Sequence, residues 1–247
     1  MANRNEILAK INEWLQPEGY QDYAPNGLQV EGSENVSVVV SGVTASQALI
    51  DEAVKQNADM ILVHHGYFWK GEDQTIRGMK KNRIKQLLDN DINLVAYHLP
   101  LDDHPEYGNN RQLANVLNIQ NPTPIGGLVW QGELSEPMIP ETFGLHIARA
   151  LHRQPLHVGG GPEKIKTVAW CTGAAQGFIN AALNAGVDAY ISGEISEPTT
   201  HTARECGIHY FAAGHHATER YGVQALGEAL AKECGVRHQF VDCDNPV

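Results

Sequence analysis

The feature of this sequence that most restricts its fold is a strand–helix–strand pattern that occurs twice, at a constant offset of 129 residues. Residues 39–65, VVSGVTASQALIDEAVKQNADMILVHH, align without a gap against residues 168–194, VAWCTGAAQGFINAALNAGVDAYISGE. The apolar pattern agrees, and six of the 27 aligned positions are identical. These are Val39/Val168, Ala45/Ala174, Gln47/Gln176, Ile50/Ile179, Ala53/Ala182 and Asp59/Asp188. The repetition predicts two copies of one supersecondary unit.

Strands alternate with helices in both copies, which is typical of an α/β fold with a mostly parallel sheet. The β-branched run over residues 37–43 predicts a buried parallel strand. We predict two similar α/β repeats, over residues 1–125 and 126–247, each with a small sheet flanked by helices. The boundary is predicted within IQNPTPIGGLVWQGELSEPMIPE, which is rich in Pro and Gly and lacks helical periodicity.

The composition predicts a soluble cytoplasmic protein. A net charge of -11 argues against a surface that coats nucleic acid, because phosphate binding needs clustered Lys and Arg. The basic segment MKKNRIK is interpreted as a solvated helix face. The four cysteines form no CxxC pair, which favours reduced thiols over disulfides or a zinc knuckle. We expect neither a membrane span nor a signal peptide, because no sufficiently long apolar run is present.

Histidines and carboxylates gather after four of the predicted strands, two in each repeat. In chain order they are His64, His65, His98, Asp102, His104, Glu194, His215, His216 and Glu219. Open parallel sheets bind ligands beyond the carboxyl ends of their strands. We therefore expect these residues to include a functional site.

The adjacent pair His64 and His65 poses a geometric question. Neighbouring side chains on an extended strand point to opposite faces, so two such imidazoles can meet one centre only if the strand has ended. Gly66 would allow the backbone to turn there. The alternative is a pair of unrelated loop histidines.

His215 and Glu219 are four residues apart, and a helix that begins near His215 would present both on one face. They could bind one metal or each hold one of two. Alternatively, His215 and Thr218 cap the helix while Glu219 interacts with its positive end. We expect His216 to face away from His215.

Three imidazoles and two carboxylates at the strand ends make a mixed N/O donor set, which suits Zn, Mn, Fe or Co better than Ca or Mg. Five donors are many for one metal with an open position and fit two bridged metals, with Asp102 and Glu219 as the natural bridges. A bridging water would then be acidified towards hydroxide, as in two-metal hydrolases.

Four motifs, DYAPNGLQVEG, VHHG, HLPLD and AGHHATE, together resemble the bacterial YbgI-type proteins that are labelled GTP cyclohydrolase 1 type 2 homologues. The resemblance covers nearly the whole chain. It implies two intertwined α/β repeats, a dinuclear metal site between the two with two divalent ions per subunit, and assembly into a ring-shaped homohexamer. The ligands implied by the matching motifs are His64, His65, Asp102, His215 and Glu219.

Glu194 and His98 are the candidate catalytic residues. Glu194 could be a general base or could accept a hydrogen bond that orients a ligand, and a carboxylate at a helix N-terminus is the plainer alternative. His98 and His104 flank Asp102 and could orient it, or could be structural. His201, four residues after Glu197, is interpreted as part of a helix face.

The segment GYFWKG offers a second type of contact. Tyr67, Phe68 and Trp69 could stack on a base, and Lys70 could meet a phosphate. Three adjacent aromatic residues could equally form a packing corner or a subunit contact.

The leading functional hypothesis is a dinuclear-metal hydrolase that acts on a small, nucleotide-like substrate, with a metal-bridging hydroxide as nucleophile. The resemblance implies GTP cyclohydrolase-like chemistry, in which water attacks the purine C8 and formate is released. The alternative is a non-catalytic metal-binding ring protein for metal storage, delivery or sensing. A ring that threads DNA is a third interpretation, and the acidic net charge argues against it.

Overall fold

The structure is a computed structural model that describes all 247 residues. The chain forms two compact units, and each contains a segment from a distant part of the sequence. The first unit comprises residues 1–107 and 222–244, and the second comprises residues 108–221 and 245–247.

The first unit is built on a five-stranded mixed sheet. Its elements are β1 (Ala2–Asn3), α1 (Arg4–Leu15), β2 (Gly27–Val30), β3 (Asn35–Val36), β4 (Val38–Thr44), α2 (Gln47–Lys55), β5 (Met60–His65), α3 (Gly78–Asp89), β6 (Asn93–Ala96), α4 (Leu99–Asp103) and the late strand β13 (Arg237–Phe240). The strand order is β13-β4-β5-β6-β2, with β2 antiparallel to β6 and the other pairs parallel. Strands β1 and β3 form a separate short ladder.

The second unit is built on a six-stranded mixed sheet. Its elements are α5 (Asn109–Val116), β7 (Gln120–Gly126), β8 (Val129–Met138), α6 (Pro140–Leu151), β9 (Leu156–Val158), β10 (Ile165–Cys171), α7 (Ile179–Ala185), β11 (Ala189–Ser192), α8 (Glu197–Cys206), β12 (His209–Ala212) and the start of α9 (His215–Cys234). The order is β7-β8-β10-β11-β12-β9, and only β10, β11 and β12 are mutually parallel. The predicted α/β class is thus confirmed.

The offset found in the sequence also relates the strand ladders of the two units. Val39 pairs with Met60 in the first unit, and Val168 pairs with Ala189 in the second, so both partners are displaced by the same 129 residues. Strand pairing is specific in register because a slip of one residue would exchange the two faces of a strand. The aligned strands therefore have equivalent places in their sheets.

Alternate residues of β5 supply the two cores of the first unit. Ile61 and Val63 pack with the apolar faces of α2 and α3, whereas Met60 and Leu62 pack with α1 and the later part of α9. This two-residue period is the expected signature of a strand buried on both faces. Each fully buried aliphatic side chain contributes about 1.5–3 kcal/mol to folding.

The second unit is also covered on both faces. Val168 and Trp170 of β10 belong to one core with α5 and α6, and Ala169 and Cys171 belong to the other with α7 and α8. None of the helices is both long enough and apolar enough to span a membrane.

The division into units differs from the predicted boundary between residues 125 and 126. Helix α5 packs its Leu113 into a core of the second unit, while Val223 and Leu226 pack into a core of the first. In addition, β13 pairs with β4. Burial of these apolar side chains, which local sequence composition does not reveal, assigns each segment to its unit.

The region predicted as an irregular boundary contains a β-hairpin, β7–β8. Pro122 and Pro124 obscured this signal, because proline has no backbone N–H to donate in a sheet. Strand β7 lies at the edge of its sheet, where proline is tolerated.

Candidate functional site

The paired histidines lie at the carboxyl end of β5, in the first unit. The expectation that the strand ends before them is wrong, because His65 still pairs with Thr44 of β4. The two rings nevertheless have centroids only 4.5 Å apart, at an interplanar angle of 46°. Gly66 follows without a positive φ, and a Cβ there would clash with the Gln29 side chain. Gly66 is therefore needed for close packing rather than for an unusual backbone conformation.

Three imidazoles converge at this end of the sheet. One ring nitrogen each from His64, His65 and His98 lies within 4.8 Å of the other two. His64 Nδ1 is 3.0 Å from the Tyr97 carbonyl oxygen, and His65 Nδ1 is 3.2 Å from Thr44 Oγ1. A carbonyl oxygen only accepts, so His64 Nδ1 carries the hydrogen and Nε2 is the nitrogen that can bind a metal.

Asp102 adds a carboxylate to this cluster. It lies on the short helix α4, is buried, and places Oδ1 3.4 Å from His64 Nε2. The adjacent Asp103 serves elsewhere, since its Oδ2 accepts a hydrogen bond of 3.0 Å from the Tyr20 hydroxyl. Of two neighbouring carboxylates, the fold thus assigns Asp102 to the imidazoles.

The candidate donors of the second unit surround the start of α9. His215 Nε2 is 3.2 Å from Oε2 of the buried Glu219, and its Nδ1 is 2.7 Å from Glu194 Oε1. The predicted i, i+4 pair on one helix face is present. Glu194 follows β11 and contacts the ring of His215, a position suited to orienting that ring.

The charge around His215 differs from that around the histidines of β5. Burial by itself lowers the pKa of His215, but hydrogen bonds and charge from Glu219 and Glu194 more than offset this and raise the pKa to about 9. A metal ion that binds His215 must therefore displace a proton at neutral pH.

Two glycines that the sequence interpretation missed make room for this cluster. A Cβ on Gly173 would clash with Glu219 Oε1, and Gly173 has a φ of +67°. A Cβ on Gly193 would lie 2.7 Å from His215 Cα. Their signal in the sequence is glycine directly after, or one residue beyond, a buried strand, which can mark close approach of another backbone or side chain.

The donor chemistry of both clusters fits divalent transition metals. Imidazole nitrogen and carboxylate oxygen together suit Zn, Mn, Fe or Co, whereas Ca and Mg prefer oxygen alone. Each of the clusters also contains an imidazole whose second nitrogen is held by a neighbouring acceptor, which fixes the ring orientation that metal ligands need.

Other histidines singled out in the sequence have separate contacts. His104 Nδ1 accepts hydrogen bonds from the Glu106 and Tyr107 backbone N–H groups, and its ring stacks on Tyr107 at 4.8 Å. His201 is exposed on α8. His216 is buried, and its backbone N–H donates to the Val247 carbonyl oxygen.

The aromatic segment after β5 divides into different roles. Tyr67 is buried and its hydroxyl donates to the Ala45 carbonyl oxygen, while the Phe68 ring lies under Lys80. Trp69 alone faces the imidazoles, with its ring centroid 4.9 Å from that of His98. A stacking role for all three aromatic rings is therefore not supported by this arrangement.

The Duf34/NIF3 (NGG1p interacting factor 3) family pattern matches residues 2–246. A Pseudomonas aeruginosa protein named "GTP cyclohydrolase 1 type 2 homolog" is 56% identical over 245 residues, covering 97% of both chains. A protein of the same name from Escherichia coli K12 is 55% identical over 242 residues, covering 98% of both.

Solved structures show the same fold. The structure described as protein ybgI, of unknown function, has a TM-score of 0.97 and 55% identity, with complete coverage of both chains. A Thermus thermophilus protein has a TM-score of 0.92 and 32% identity, covering 99% of this chain and 100% of that one.

Proposed function

The chain belongs to the Duf34/NIF3 family, and on that basis we propose that it is a divalent-metal-dependent hydrolase of a small, nucleotide-like substrate. The observation that carries this proposal is the cluster of three imidazoles and a buried carboxylate at the end of β5. The nucleotide part is supported by relatives over half identical that carry the name "GTP cyclohydrolase 1 type 2 homolog".

The proposed ligands are His64, His65, Asp102, His215 and Glu219, which together hold one pair of divalent ions. This set combines the donors of both units and is supported by the four motifs that resemble the YbgI-type proteins. Asp102 and Glu219 are the buried carboxylates of their units, and are proposed to contact both ions. Zn, Mn, Fe and Co all fit such donors.

When bound, such a pair of ions supplies positive charge and makes water acidic enough to attack a carbon or phosphorus centre. The chain's own residues prepare the site. His64 is held by the Tyr97 carbonyl oxygen and His215 by Glu194, so neither ring must reorient when substrate binds. Glu194 and His98 remain our candidates for residues that act beside the ions.

The direct test is chromatography of GTP and a mixed nucleotide pool after incubation with the protein loaded with Mn, Zn or Fe. Asp102→Asn is the control, since it replaces one carboxylate oxygen by a group of similar size. We expect a product with the wild type that is absent with the variant. No product under any metal would reject hydrolysis of these nucleotides and favour metal storage, delivery or sensing.

The proposal includes assembly into a ring-shaped homohexamer in the cytoplasm. The hexamer is supported by the resemblance, and the cytoplasmic location by four cysteines that are all free. Sedimentation equilibrium of the whole chain would measure the assembly, with a mass six times the 27.1 kDa of the chain as the expected result. A monomer at micromolar concentration would contradict it.

A further inference from the structure

The first unit contains a buried carboxylate that the proposed ligand set does not use. Asp22 lies in the segment before β2, and its side chain is only 4% exposed. Its oxygens accept hydrogen bonds from Asn26 Nδ2 at 2.9 Å, from the Leu99 backbone N–H at 3.0 Å and from the Tyr23 backbone N–H at 2.6 Å. A carboxylate with so many donors is held in one orientation.

The fourth partner of Asp22 is the ring of His98. His98 Nδ1 lies 2.6 Å from Asp22 Oδ1, and the backbone N–H of His98 donates to Asn26 Oδ1 at 2.8 Å. Both the backbone and the ring of His98 are therefore tied to the segment before β2. Because an ionised carboxylate only accepts, Nδ1 carries the hydrogen, and Nε2 is the nitrogen with a lone pair in the neutral ring.

The packing of His98 supports the same orientation. Its ring lies between Trp69, at a centroid distance of 4.9 Å, and Tyr23, at 6.3 Å. Trp69 is itself fixed by a hydrogen bond from its indole nitrogen to the Gly66 carbonyl oxygen. The His98 ring is also 5.0 Å from that of His64.

All three imidazoles at this end of the sheet are arranged alike. His64 and His65 use Nδ1 for contacts with protein oxygen atoms, as His98 does with Asp22. Metal-bound histidines almost always have their second nitrogen held by a carboxylate or a carbonyl oxygen. Asp22 thus provides for His98 what Tyr97 provides for His64.

We propose that His98 is a third imidazole ligand of the metal site in the first unit, and that Asp22 is the positioning residue that sets its affinity. The ion is a divalent transition metal of the zinc, cobalt, manganese or iron class, because three nitrogen donors with one carboxylate disfavour calcium and magnesium. The inference rests on the metal binding of the proposed function and is independent of turnover.

The test is the Co²⁺ affinity of the whole chain, measured by competition with a chromophoric chelator. Asp22→Asn and His98→Gln are each expected to weaken the tighter-bound ion by about 10–100-fold. The double variant is expected to be no weaker than the weaker single variant, because Asp22 acts only through His98. The visible spectrum of bound Co²⁺ should change in His98→Gln, since a nitrogen ligand is lost.

Asp103→Asn is the matched control. It makes the same atomic replacement on α4, next to Asp102, at a carboxylate whose partner is Tyr20. Its Co²⁺ affinity is expected to stay within about twofold of the wild type, as for a change at a distant, independent site. Thermal unfolding of each variant shows whether the fold persists. His98→Gln alone still tests the ligand role if Asp22→Asn does not fold.

Three results would overturn the inference. His98→Gln could bind Co²⁺ with the wild-type affinity and spectrum, or Asp22→Asn could do so. Alternatively, Asp22→Asn could weaken binding further in the His98→Gln background. Failure of the proposed function has a different signature, because Asp102→Asn would then retain its metal, or the wild type would release no nucleotide product.

Discussion

The two units share a strand ladder but differ at the ends of their strands. Asp59 Oδ2 accepts hydrogen bonds from the backbone N–H groups of residues 37 and 38, and Asp188 Oδ2 does so from residues 166 and 167. All of these positions differ by 129 residues. At the same offset, His64 and His65 in the first unit correspond to Gly193 and Glu194 in the second.

The difference is steric as well as chemical. Thr44 contacts His65 with its hydroxyl, whereas the corresponding residue of the second unit, Gly173, has no side chain and leaves room for Glu219. The first unit therefore takes donors from its strand, and the second takes them from the helix that follows. One scaffold supports two donor arrangements because the ladder and its aspartate bonds do not depend on the residues at the strand ends.

The largest expected effect comes from closing the space that Gly173 leaves. Gly173→Ala would force Glu219 to move and would place alanine at a φ of +67°. We expect a loss of about 2–3 kcal/mol in the free energy of unfolding, together with weaker metal binding. Urea unfolding and metal analysis would measure both.

Gly177→Ala is the control for that substitution, since a Cβ there meets no atom within 4 Å and the backbone has no positive φ. It should change the free energy of unfolding by less than about 0.5 kcal/mol. Equal effects of the two variants would show that the space at Gly173 has no special role.

The next effect tests the donors. Asp102→Ala removes a proposed bridge and should weaken metal binding by more than the roughly 10–100-fold that loss of an outer partner costs. His216→Ala removes an imidazole that follows His215 directly but is outside the proposed set, and should keep its metal. Metal content of the folded proteins after dialysis would decide, and equal contents would contradict the ligand assignment.

A smaller effect would show how far the two scaffolds are alike. Asp59→Asn and Asp188→Asn each disturb a carboxylate that accepts two backbone N–H groups, and each should cost about 1–3 kcal/mol of unfolding free energy. Asp188→Asn should be the more costly, because Asp188 Oδ2 also accepts from Thr167 Oγ1 at 2.9 Å. Urea unfolding measures both, and an unaffected Asp59→Asn would break the equivalence.

The smallest expected effect concerns pH in metal-free protein. The pKa of His215 is raised to about 9 in the fold, so its stabilising contribution is complete below its ordinary value of 6.5 and is lost as pH rises through about 9. Burial lowers the pKa of His238 in the first unit, so its contribution is lost as pH falls below about 6.5.

Unfolding free energies from pH 5 to 10, with a chelator present, would show both slopes. His215→Gln should remove the alkaline loss and leave the acid loss unchanged. An alkaline slope that persists in this variant would contradict the assigned cause.

Much of this architecture could be predicted from short stretches of sequence. The buried strand over residues 37–43 matches β4 within a residue, and the i, i+4 spacing of His215 and Glu219 matches the start of α9. Periodicity reports which faces are buried, because burial repeats every two residues in a strand and every 3.6 in a helix. The hairpin β7–β8 escaped this logic because its prolines and exposed residues show neither period.

The sequence by itself determined the two α/β repeats and their common offset, since these follow from local patterns of apolar residues. Only the tertiary structure decided which carboxylate serves which imidazole. Asp22 and His98 are 76 residues apart and Glu194 and His215 are 21 apart, and no local pattern relates either pair. Such pairs depend on how strands and helices pack. The same packing decided that residues 222–244 join the first unit, where Val223 and Leu226 are buried.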